Sequence, residues 1–449
     1  MFVAPAPSTA ELLKDLSPDA LGAALAAPFG GHKANERYLH WDKLRYLDPP
    51  AGLSTEQWWL RLKLARAGEM RYLRLRDLEG DRFGFTLPDA VLRHLHYIDQ
   101  HCSGEVAMEE VVTSDRQARA KYLVNAKMEE AIRSSQLEGA TTSRVVAKEL
   151  LRSGREPRDR SERMIANNYR ALQFMHDEMG NSLSPETILE LHRIVTDGTL
   201  RNPEAAGRLQ QPGEERVVVL NREDDREPVH RPPPAEQLPE RMRLLCDFAN
   251  ERDEDGEPFV HPAIRAILLH FWLAYDHPFE DGNGRTARIL FFWLMRSHGY
   301  WLVEYLPISR LIRSAPARYG RAFLETETDG GDMTYFLIHQ LEIIERAVED
   351  LHVYLRRKQA EVRDVEKLLD GTDYLNGRQL TLLADAIRDP DAVYSFEGHA
   401  KSHRVSHETA RVDIRQLARR GLLLQRRRGR RHIFEPVPDL AERLKESPA

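Results

Sequence analysis

The most informative stretch of this chain reads His277-Pro-Phe-Glu-Asp-Gly-Asn-Gly-Arg-Thr-Ala-Arg288. Gly282 and Gly284 flank Asn283, which allows the backbone to turn tightly and to point successive N–H groups inward. The apolar run that follows predicts a helix that begins directly after the turn. A nest of N–H groups at a helix N-terminus is a binding site for phosphate.

Charged side chains surround this predicted anion site. Arg285 and Arg288 stand three residues apart, so both guanidinium groups share one helix face and favour a polyphosphate ligand. Asp281 offers a hard carboxylate ligand for Mg²⁺. His277 titrates near neutrality and can accept a proton from a hydroxyl. The combination predicts a nucleotide-dependent transferase that attacks phosphorus, and an ordinary glycine-rich loop is the alternative.

The same stretch matches the Fic family pattern HPFx[D/E]GNGRxxR at every defined position. The resemblance covers about Arg116–Leu355, and further matching positions are Leu191-His192, Gly207-Arg208 and Pro232-Pro233-Pro234. It implies an α-helical core with a small β-hairpin flap. It also implies transfer of AMP from ATP to a Ser, Thr or Tyr hydroxyl of another protein, because most Fic proteins have this activity.

The resemblance implies separate roles for the motif residues in the chemical step. His277 is the implied general base for the target hydroxyl, and Asp281 is the implied Mg²⁺ ligand between the α- and β-phosphates. Phe279 is the implied buried anchor of the loop. The residues implied to act in catalysis are His277, Asp281, Asn283 and Arg285.

The resemblance also implies how ATP is held. Asn283 and the N–H groups of Gly282 and Gly284 are implied to cradle the α-phosphate. Arg285 is the implied contact of the β-phosphate, and Arg288 that of the γ-phosphate. In-line attack at the α-phosphorus then releases pyrophosphate, whose growing charge these cations and Mg²⁺ stabilise.

A second motif, Ser134-Ser-Gln-Leu-Glu138-Gly139, ends a predicted helix over Lys121–Gln136. Ser134 and Glu138 share one helix face, and Gly139 is suited to end the helix with a positive φ. A carboxylate at a helix C-terminus opposes the helix dipole, which indicates a partner elsewhere.

This segment resembles the inhibitory motif [S/T]xxxE[G/N] of Fic proteins. The resemblance implies that Glu138 pairs with Arg288 and misplaces ATP. A solvated glutamate at an ordinary helix end is the alternative. In a further alternative, Glu138 positions a water molecule that removes AMP.

A β-hairpin is predicted inside the helical region. Arg216-Val-Val-Val-Leu220 is prone to form a strand, NREDDREP is a polar turn, and VHRPPP is extended. Proteins usually avoid an exposed, valine-rich strand edge unless another segment pairs with it. The resemblance implies a flap that holds the target by strand addition. Val217 and Val219 are expected to cover nucleotide or target, and a plain surface hairpin is the alternative.

The charge distribution sets the C-terminal region apart. Residues 401–449 contain 13 Lys+Arg and 6 Asp+Glu, which gives this segment +7 and leaves −13 for the rest of a chain of net charge −6. Its predicted order of helix, helix and basic hairpin resembles a winged helix-turn-helix. A protein-docking or dimerisation module is the alternative.

In the winged-helix interpretation, the second helix enters the major groove of DNA and the hairpin contacts phosphates. Residues 426–431 carry the arginine cluster of this wing. The residues expected to face the groove are Ser406, His407, Thr409 and Arg411.

The length of 449 residues suggests about three domains in a mainly α-helical chain. Residues 1–115 are expected to form an α(+β) module of unassigned role. Phe83, Phe85 and Leu87 alternate like a strand there, whereas residues 60–75 fit a helix or strands. Residues 116–359 are expected to form the Fic domain, with the inhibitory helix at about 121–139, and residues 360–449 the winged helix.

Several protein classes are excluded by composition. Cys102 and Cys246 are the only cysteines, too few for a disulfide framework or a cysteine-rich zinc site, and indicate a reducing compartment. Residues 1–15 lack the features of a secretory signal. The longest apolar run, Ile289–Met295, is far shorter than the roughly 20 residues that span a bilayer. We therefore expect a cytoplasmic protein without a membrane partner.

The leading hypothesis is an autoinhibited protein adenylyltransferase that uses ATP and Mg²⁺ and also modifies itself. Its expected partner is a protein with a hydroxyl side chain. DNA, bound by the tail, and a second copy of the chain are further candidate partners. One alternative is a DNA-binding regulator with a nucleotide-sensing core. Others are removal of AMP and transfer of a different phosphate-containing group. Arg288 argues against the phosphotransferase branch, which departs from the motif near the second arginine.

Overall fold

The computed structural model describes residues 3–26, 37–103, 116–178, 180–217, 219–220, 228–251, 259–369, 374–388, 392–428 and 431–446. The packing divides the chain into two compact units, Met1–Leu351 and His352–Ala449. The long helix Thr334–Leu369 crosses the boundary between the units, so residues 359 and 360 lie within one helix. The three-domain organisation stays a prediction.

The N-terminal part of the first unit combines helices with a β-hairpin. Its helices are α1 (Thr9–Asp15), α2 (Pro18–Ala26), α3 (Trp41–Leu44), α4 (Thr55–Glu69) and α5 (Asp89–Cys102). Its antiparallel strands are β1 (Arg71–Arg76) and β2 (Arg82–Phe85). The ambiguous residues 60–75 thus divide between α4 and β1. The predicted strand is confirmed for Phe83 and Phe85, whereas Leu87 lies beyond its end.

A buried polar network fastens this N-terminal part to the rest of the first unit. Arg66 on α4 donates from Nη1 to Tyr335 Oη at 2.6 Å. Lys63 Nζ lies 2.8 Å from Asp329 Oδ1. Asp332 accepts a hydrogen bond from Tyr38 Oη at 2.7 Å. Two acidic side chains are therefore buried together and depend on Arg66 and Lys63 for charge balance.

The remaining part of the first unit is a helical bundle around two central helices. Its helices are α6 (Arg116–Leu137), α7 (Arg144–Ser153), α8 (Arg160–Asp177), α9 (Pro185–Thr196), α10 (Leu238–Asn250), α11 (Pro262–Asp276), α12 (Asn283–Ser297), α13 (Ile308–Ser314), α14 (Pro316–Glu327) and α15 (Thr334–Leu369). Almost every side chain of α11 is buried, as expected for a helix that is apolar on all sides. It packs along α12, which also contacts α6, α8 and α9.

A short β-hairpin interrupts this bundle, as predicted from the sequence, although Arg216 and Val217 of the predicted first strand lie before the strand. Strands β3 (Val219–Leu220) and β4 (Pro228–His230) pair antiparallel, with Val219 opposite His230. The predicted turn between them and the side chain of Val219 lie outside the described residues. The mainly α-helical class and the embedded hairpin are therefore confirmed.

The second unit contains the end of α15 and a smaller set of elements. These are α16 (Gly377–Arg388), α17 (Phe396–His403), α18 (His407–Arg419), β5 (Leu423–Arg428), β6 (Arg431–Pro436) and α19 (Leu440–Glu446). The strands form an antiparallel hairpin. Buried Asp413 joins α18 to the other helices, because it accepts from Arg378 Nε at 2.7 Å and lies 3.3 Å from His399 Nε2.

None of the helices in the described ranges has both the length and the apolar character that crossing a bilayer requires.

Replacing Arg66 with alanine tests the buried network. We expect Arg66→Ala to lower the free energy of unfolding by about 3 kcal/mol, because the acidic pair loses one of its buried cations. Urea denaturation followed by circular dichroism measures this loss. The control is Arg243→Ala, whose exposed ion pairs with Glu240 and Asp247 are worth at most about 1 kcal/mol. Equal losses in both variants would contradict the structural role of Arg66.

Candidate active site

The motif forms the connection between α11 and α12. His277 caps α11 with φ 45° and ψ 52°, and Gly282 begins α12 with φ 89°. Asn283 brackets the turn, since its Oδ1 accepts from the Phe279 N–H at 3.0 Å and its Nδ2 donates to the Phe279 carbonyl at 2.8 Å. The Asn283 side chain thus shapes the loop, and the first-turn N–H groups of α12 are left for a ligand.

The loop is braced by His192 and its neighbours. The His192 ring stacks on the fully buried Phe279 ring at 3.8 Å between centroids. His192 Nδ1 accepts from the Gly207 N–H at 3.0 Å, and Nε2 lies 2.8 Å from the Asp281 carbonyl. Burial lowers the pKa of His192 to about 4, so the neutral ring accepts on one side and donates on the other.

His277 is a neutral imidazole with one ring nitrogen available to accept a proton. Its Nδ1 lies 3.3 Å from the Ala274 carbonyl. Because a carbonyl only accepts, Nδ1 carries the proton and Nε2 keeps its lone pair. Burial, together with the positive charge of His230, lowers the pKa of His277 to about 4. The ring is therefore neutral at pH 7.

The first turns of α12 carry two buried cations. Arg285 is fully buried and donates from Nη1 to the Val195 carbonyl at 3.0 Å. Burial lowers the pKa of Arg285. Among the described residues, Arg285 Nε and Arg288 Nη1 are buried N–H donors without a hydrogen-bond partner. Buried donors without partners are costly in a folded protein, so this pocket fits an anionic ligand.

Glu138 lies in this pocket. Arg288 Nη2 donates to Glu138 Oε1 at 2.7 Å, and Arg288 Nε donates to Ser134 Oγ at 2.9 Å. A Cβ atom added to Gly284 would collide with Glu138 Oε1, which places this carboxylate directly over the nest. Burial opposes the charge of Arg288, but Glu138 outweighs it and the pKa of Arg288 is raised.

The helix that carries Glu138 ends as its sequence predicts. Helix α6 runs to Leu137, and Gly139 has φ 93°. Helix α6 is fixed to α13 by Glu130, which accepts from the Ser309 N–H at 3.0 Å. Burial raises the pKa of Glu130 to about 7. Sequence reasoning did not identify Glu130, because nothing in its local pattern shows that it faces Ser309.

Asp281 lies at the rim of the pocket with 36% of its side chain exposed. Its Oδ2 pairs with Arg160 Nη2 at 3.0 Å, and its Oδ1 accepts from the Gly282 N–H at 2.6 Å. Within the described ranges, no group of three or more His, Cys, Asp or Glu side chains converges on one point. Asp281 therefore offers a single hard oxygen ligand beside the nest.

Two basic residues next to the hairpin hold the His277 loop and were not assigned a role from the sequence. Arg216 donates from Nη2 to the Asp276 carbonyl at 2.8 Å and to the His277 carbonyl at 3.1 Å. His230 Nε2 lies 2.7 Å from the Tyr275 carbonyl. In the sequence, Arg216 begins the β-prone run and His230 lies in the extended segment after the turn.

Comparison with known proteins matches residues 182–295 to the Fic/DOC family. A protein adenylyltransferase Fic from Nematostella vectensis is 32% identical over 133 residues, which are 29% of this chain and 27% of that protein. A protein adenylyltransferase fic-1 from Caenorhabditis elegans is 28% identical over 193 residues, 41% of this chain and 34% of that protein. The chain thus spans only about a third of the length of these relatives.

A solved structure of a Fic family protein from Desulfovibrio desulfuricans G20 superposes with a TM-score of 0.50 and 19% identity. The match covers 79% of this chain and 97% of that chain, and it shows a shared fold. The matched residues 182–295 contain the entire motif between His277 and Arg288. Residues 182–295 of this chain are therefore similar to the Fic/DOC family over the complete motif.

Proposed function

We propose that the protein is an autoinhibited protein adenylyltransferase that moves AMP from ATP to a Ser, Thr or Tyr hydroxyl of a protein, including its own. One observation carries the proposal. A neutral histidine with a free Nε2 lies in the loop before α12, and two buried arginines with unpaired N–H groups lie on the first turns of that helix. Relatives named protein adenylyltransferase support the same activity.

In the proposed reaction, the target hydroxyl oxygen attacks the α-phosphorus of ATP. His277 Nε2 accepts the hydroxyl proton while the bond between the α-phosphorus and the bridging oxygen breaks, and pyrophosphate leaves. Arg285 and Arg288 stabilise the charge that grows on the leaving group. Because His277 is neutral at pH 7, no prior deprotonation is needed.

The proposed reaction also assigns Asp281 to Mg²⁺. The exposed carboxylate next to the nest is of the chemical type that Mg²⁺ prefers. When bound, Mg²⁺ would offset the phosphate charge. Arg160 pairs with the same carboxylate and has to move away from Asp281 for the metal to bind.

We further propose that Glu138 inhibits the enzyme. The Glu138 carboxylate occupies the space above Gly284 and pairs with Arg288. This is where the γ-phosphate contact is expected, so a bound triphosphate has to displace Glu138 or lie out of register. Glu130 anchors α6 to Ser309. We therefore expect a bound triphosphate to displace Glu138 by moving only the C-terminal end of α6.

The second unit supports a second proposal, that the tail binds DNA. Ser406 caps α18 by accepting from the Thr409 N–H at 3.1 Å, and Thr409 and Arg411 are partly exposed on this helix. The arginine-rich hairpin β5–β6 adds an exposed basic surface. The helix order and the +7 charge of residues 401–449 favour DNA over a protein partner.

Replacing Glu138 with glycine tests the inhibition. We expect Glu138→Gly to raise incorporation of α-labelled ATP into protein by about 5- to 150-fold, the range that a coupling of 1–3 kcal/mol gives. Gel autoradiography with α-labelled and γ-labelled ATP measures this rate. Retention of only the α label identifies AMP transfer, whereas retention of the γ label identifies phosphate transfer.

The matched control is Glu178→Gly, which removes a glutamate at the end of another helix, α8. We expect it to have wild-type activity. Wild-type activity in Glu138→Gly would contradict the inhibitory role. Release of AMP from pre-modified protein by the wild type, and not by Glu138→Gly, would show that the main reaction is removal of AMP.

Replacing His277 with alanine tests the base. In the Glu138→Gly background, His277→Ala should lower the transfer rate by about 10²- to 10⁴-fold and leave ATP affinity within about twofold. Rapid-quench assays and isothermal titration calorimetry measure the two quantities. Because the pKa of His277 is lowered to about 4, the rate should stay level from pH 7 to about pH 5 and fall only in more acidic buffer. Unchanged transfer by His277→Ala would exclude this base.

A salt series tests the tail. We expect the full chain to shift double-stranded DNA with an affinity that falls linearly on a logarithmic salt scale. Arg427→Ala should reduce that slope by about one, as the loss of one phosphate contact does. Arg243→Ala on α10 is the control and should leave the slope unchanged. Binding that does not depend on salt would contradict a phosphate-contacting wing.

A further inference from the structure

His230 at the end of strand β4 lies between two hydrogen-bond acceptors. Its Nδ1 is 2.7 Å from Glu327 Oε2 at the end of α14. Its Nε2 is 2.7 Å from the Tyr275 carbonyl, two residues before His277. Only 8% of the His230 side chain is exposed. One ring thus connects the hairpin, α14 and the catalytic loop.

The two acceptors determine the charge of the ring. A carbonyl oxygen can only accept, so Nε2 must carry a proton. An ionised carboxylate also only accepts, so Nδ1 must carry the second proton when Glu327 is charged. Both conditions are met by an imidazolium held in two charge-assisted contacts.

The other charged groups near His230 favour this positive form. Asp276 on α11 is buried next to Tyr275, although it is paired with Arg241 of α10 at 2.6 Å. Asp77 and Glu79, from the turn between β1 and β2, line a cavity of about 260 Å³ together with His230 and Arg231. His277 is neutral. Among the described residues, the cations that oppose the imidazolium are Arg231 of this cavity, Arg241, which Asp276 neutralises, and Arg216 at the Asp276 and His277 carbonyls.

We propose that His230 is a positioning residue that, as an imidazolium between Glu327 and the Tyr275 carbonyl, locks the hairpin onto the catalytic loop. In the hairpin, His230 pairs with Val219 of β3. Locking β4 therefore fixes the position of β3, which is the edge available to a target segment. The effect on transfer rests on the proposed function, but the ionised state of His230 does not.

The lock depends on pH in a defined direction. Burial disfavours the charge of His230, but Glu327 outweighs burial and the pKa of His230 is raised above its ordinary value. A raised pKa contributes stability that is complete below the unfolded-state pKa of about 6.5 and is lost as the pH rises through the folded-state pKa. The lock therefore weakens in alkaline solution.

Nitrogen-15 NMR of the histidine rings tests the charge directly in the full chain. At pH 7 both His230 nitrogens should be protonated, and the midpoint of the titration should fall in Glu327→Gln. The resonance is assigned by its absence from His230→Gln. A neutral His230 ring at pH 7, or an unchanged midpoint in Glu327→Gln, would overturn the proposal whether or not the protein transfers AMP.

The effect on transfer is measured in the Glu138→Gly background. We expect His230→Gln to lower transfer at pH 7 by about tenfold through misplacement of the target hydroxyl, with an unchanged KM for ATP. It should also remove the alkaline fall of the pH–rate profile. The matched control is His176→Gln, which removes a histidine 2.8 Å from Glu304 and should keep both the rate and the alkaline fall.

The possible outcomes separate the two proposals. Full activity and an unchanged alkaline fall in His230→Gln would overturn the positioning role. Complete absence of transfer in Glu138→Gly would count against the proposed function, and the NMR titration then decides the ionised lock by itself. Circular dichroism and the melting temperature of each variant test whether the chain is folded in every comparison.

Discussion

Two buried guanidinium groups on the first turns of α12 impose the main constraint on this protein. Arg285 and Arg288 are 0% and 2% exposed, and a buried cation without a counter-charge is strongly destabilising. The loop between α11 and α12, the brace through His192 and the end of α6 all converge on these groups. In the structure Glu138 supplies the carboxylate that neutralises Arg288. Under the proposed function, triphosphate and Glu138 compete for the same cation.

Much of the fold can be predicted from the sequence, because the residues that determine each turn and helix end are close together in the chain. The turn at Gly282, the helix end at Gly139 and the hairpin that contains Val219 each follow from short patterns. The N-terminal part is less predictable. Residues 60–75 contain leucines that fit two periodicities, so their division into α4 and β1 is seen only in the structure.

The residues of the candidate site also fall into a group that the sequence predicts and a group that only the structure identifies. His277, Asp281 and the two arginines lie within one short segment, so chemistry at fixed spacing identifies them. Glu130, Arg216 and His230 act across long separations, and their partners are a serine of α13 and backbone carbonyl groups near His277. Every residue has a backbone carbonyl, so the sequence does not show which carbonyl accepts a hydrogen bond. Supporting residues of this kind become visible only in three dimensions.

The order of the elements along the chain has a consequence for biosynthesis. Glu138 and Arg288 are separated by 150 residues, and the carboxylate comes first. At a translation rate of about 5–20 residues per second, α6 leaves the ribosome roughly 8–30 s before α12. The nest therefore forms when its carboxylate partner is already present in the same nascent chain. Under the proposed function, a newly made chain can therefore fold with Glu138 already in this pocket.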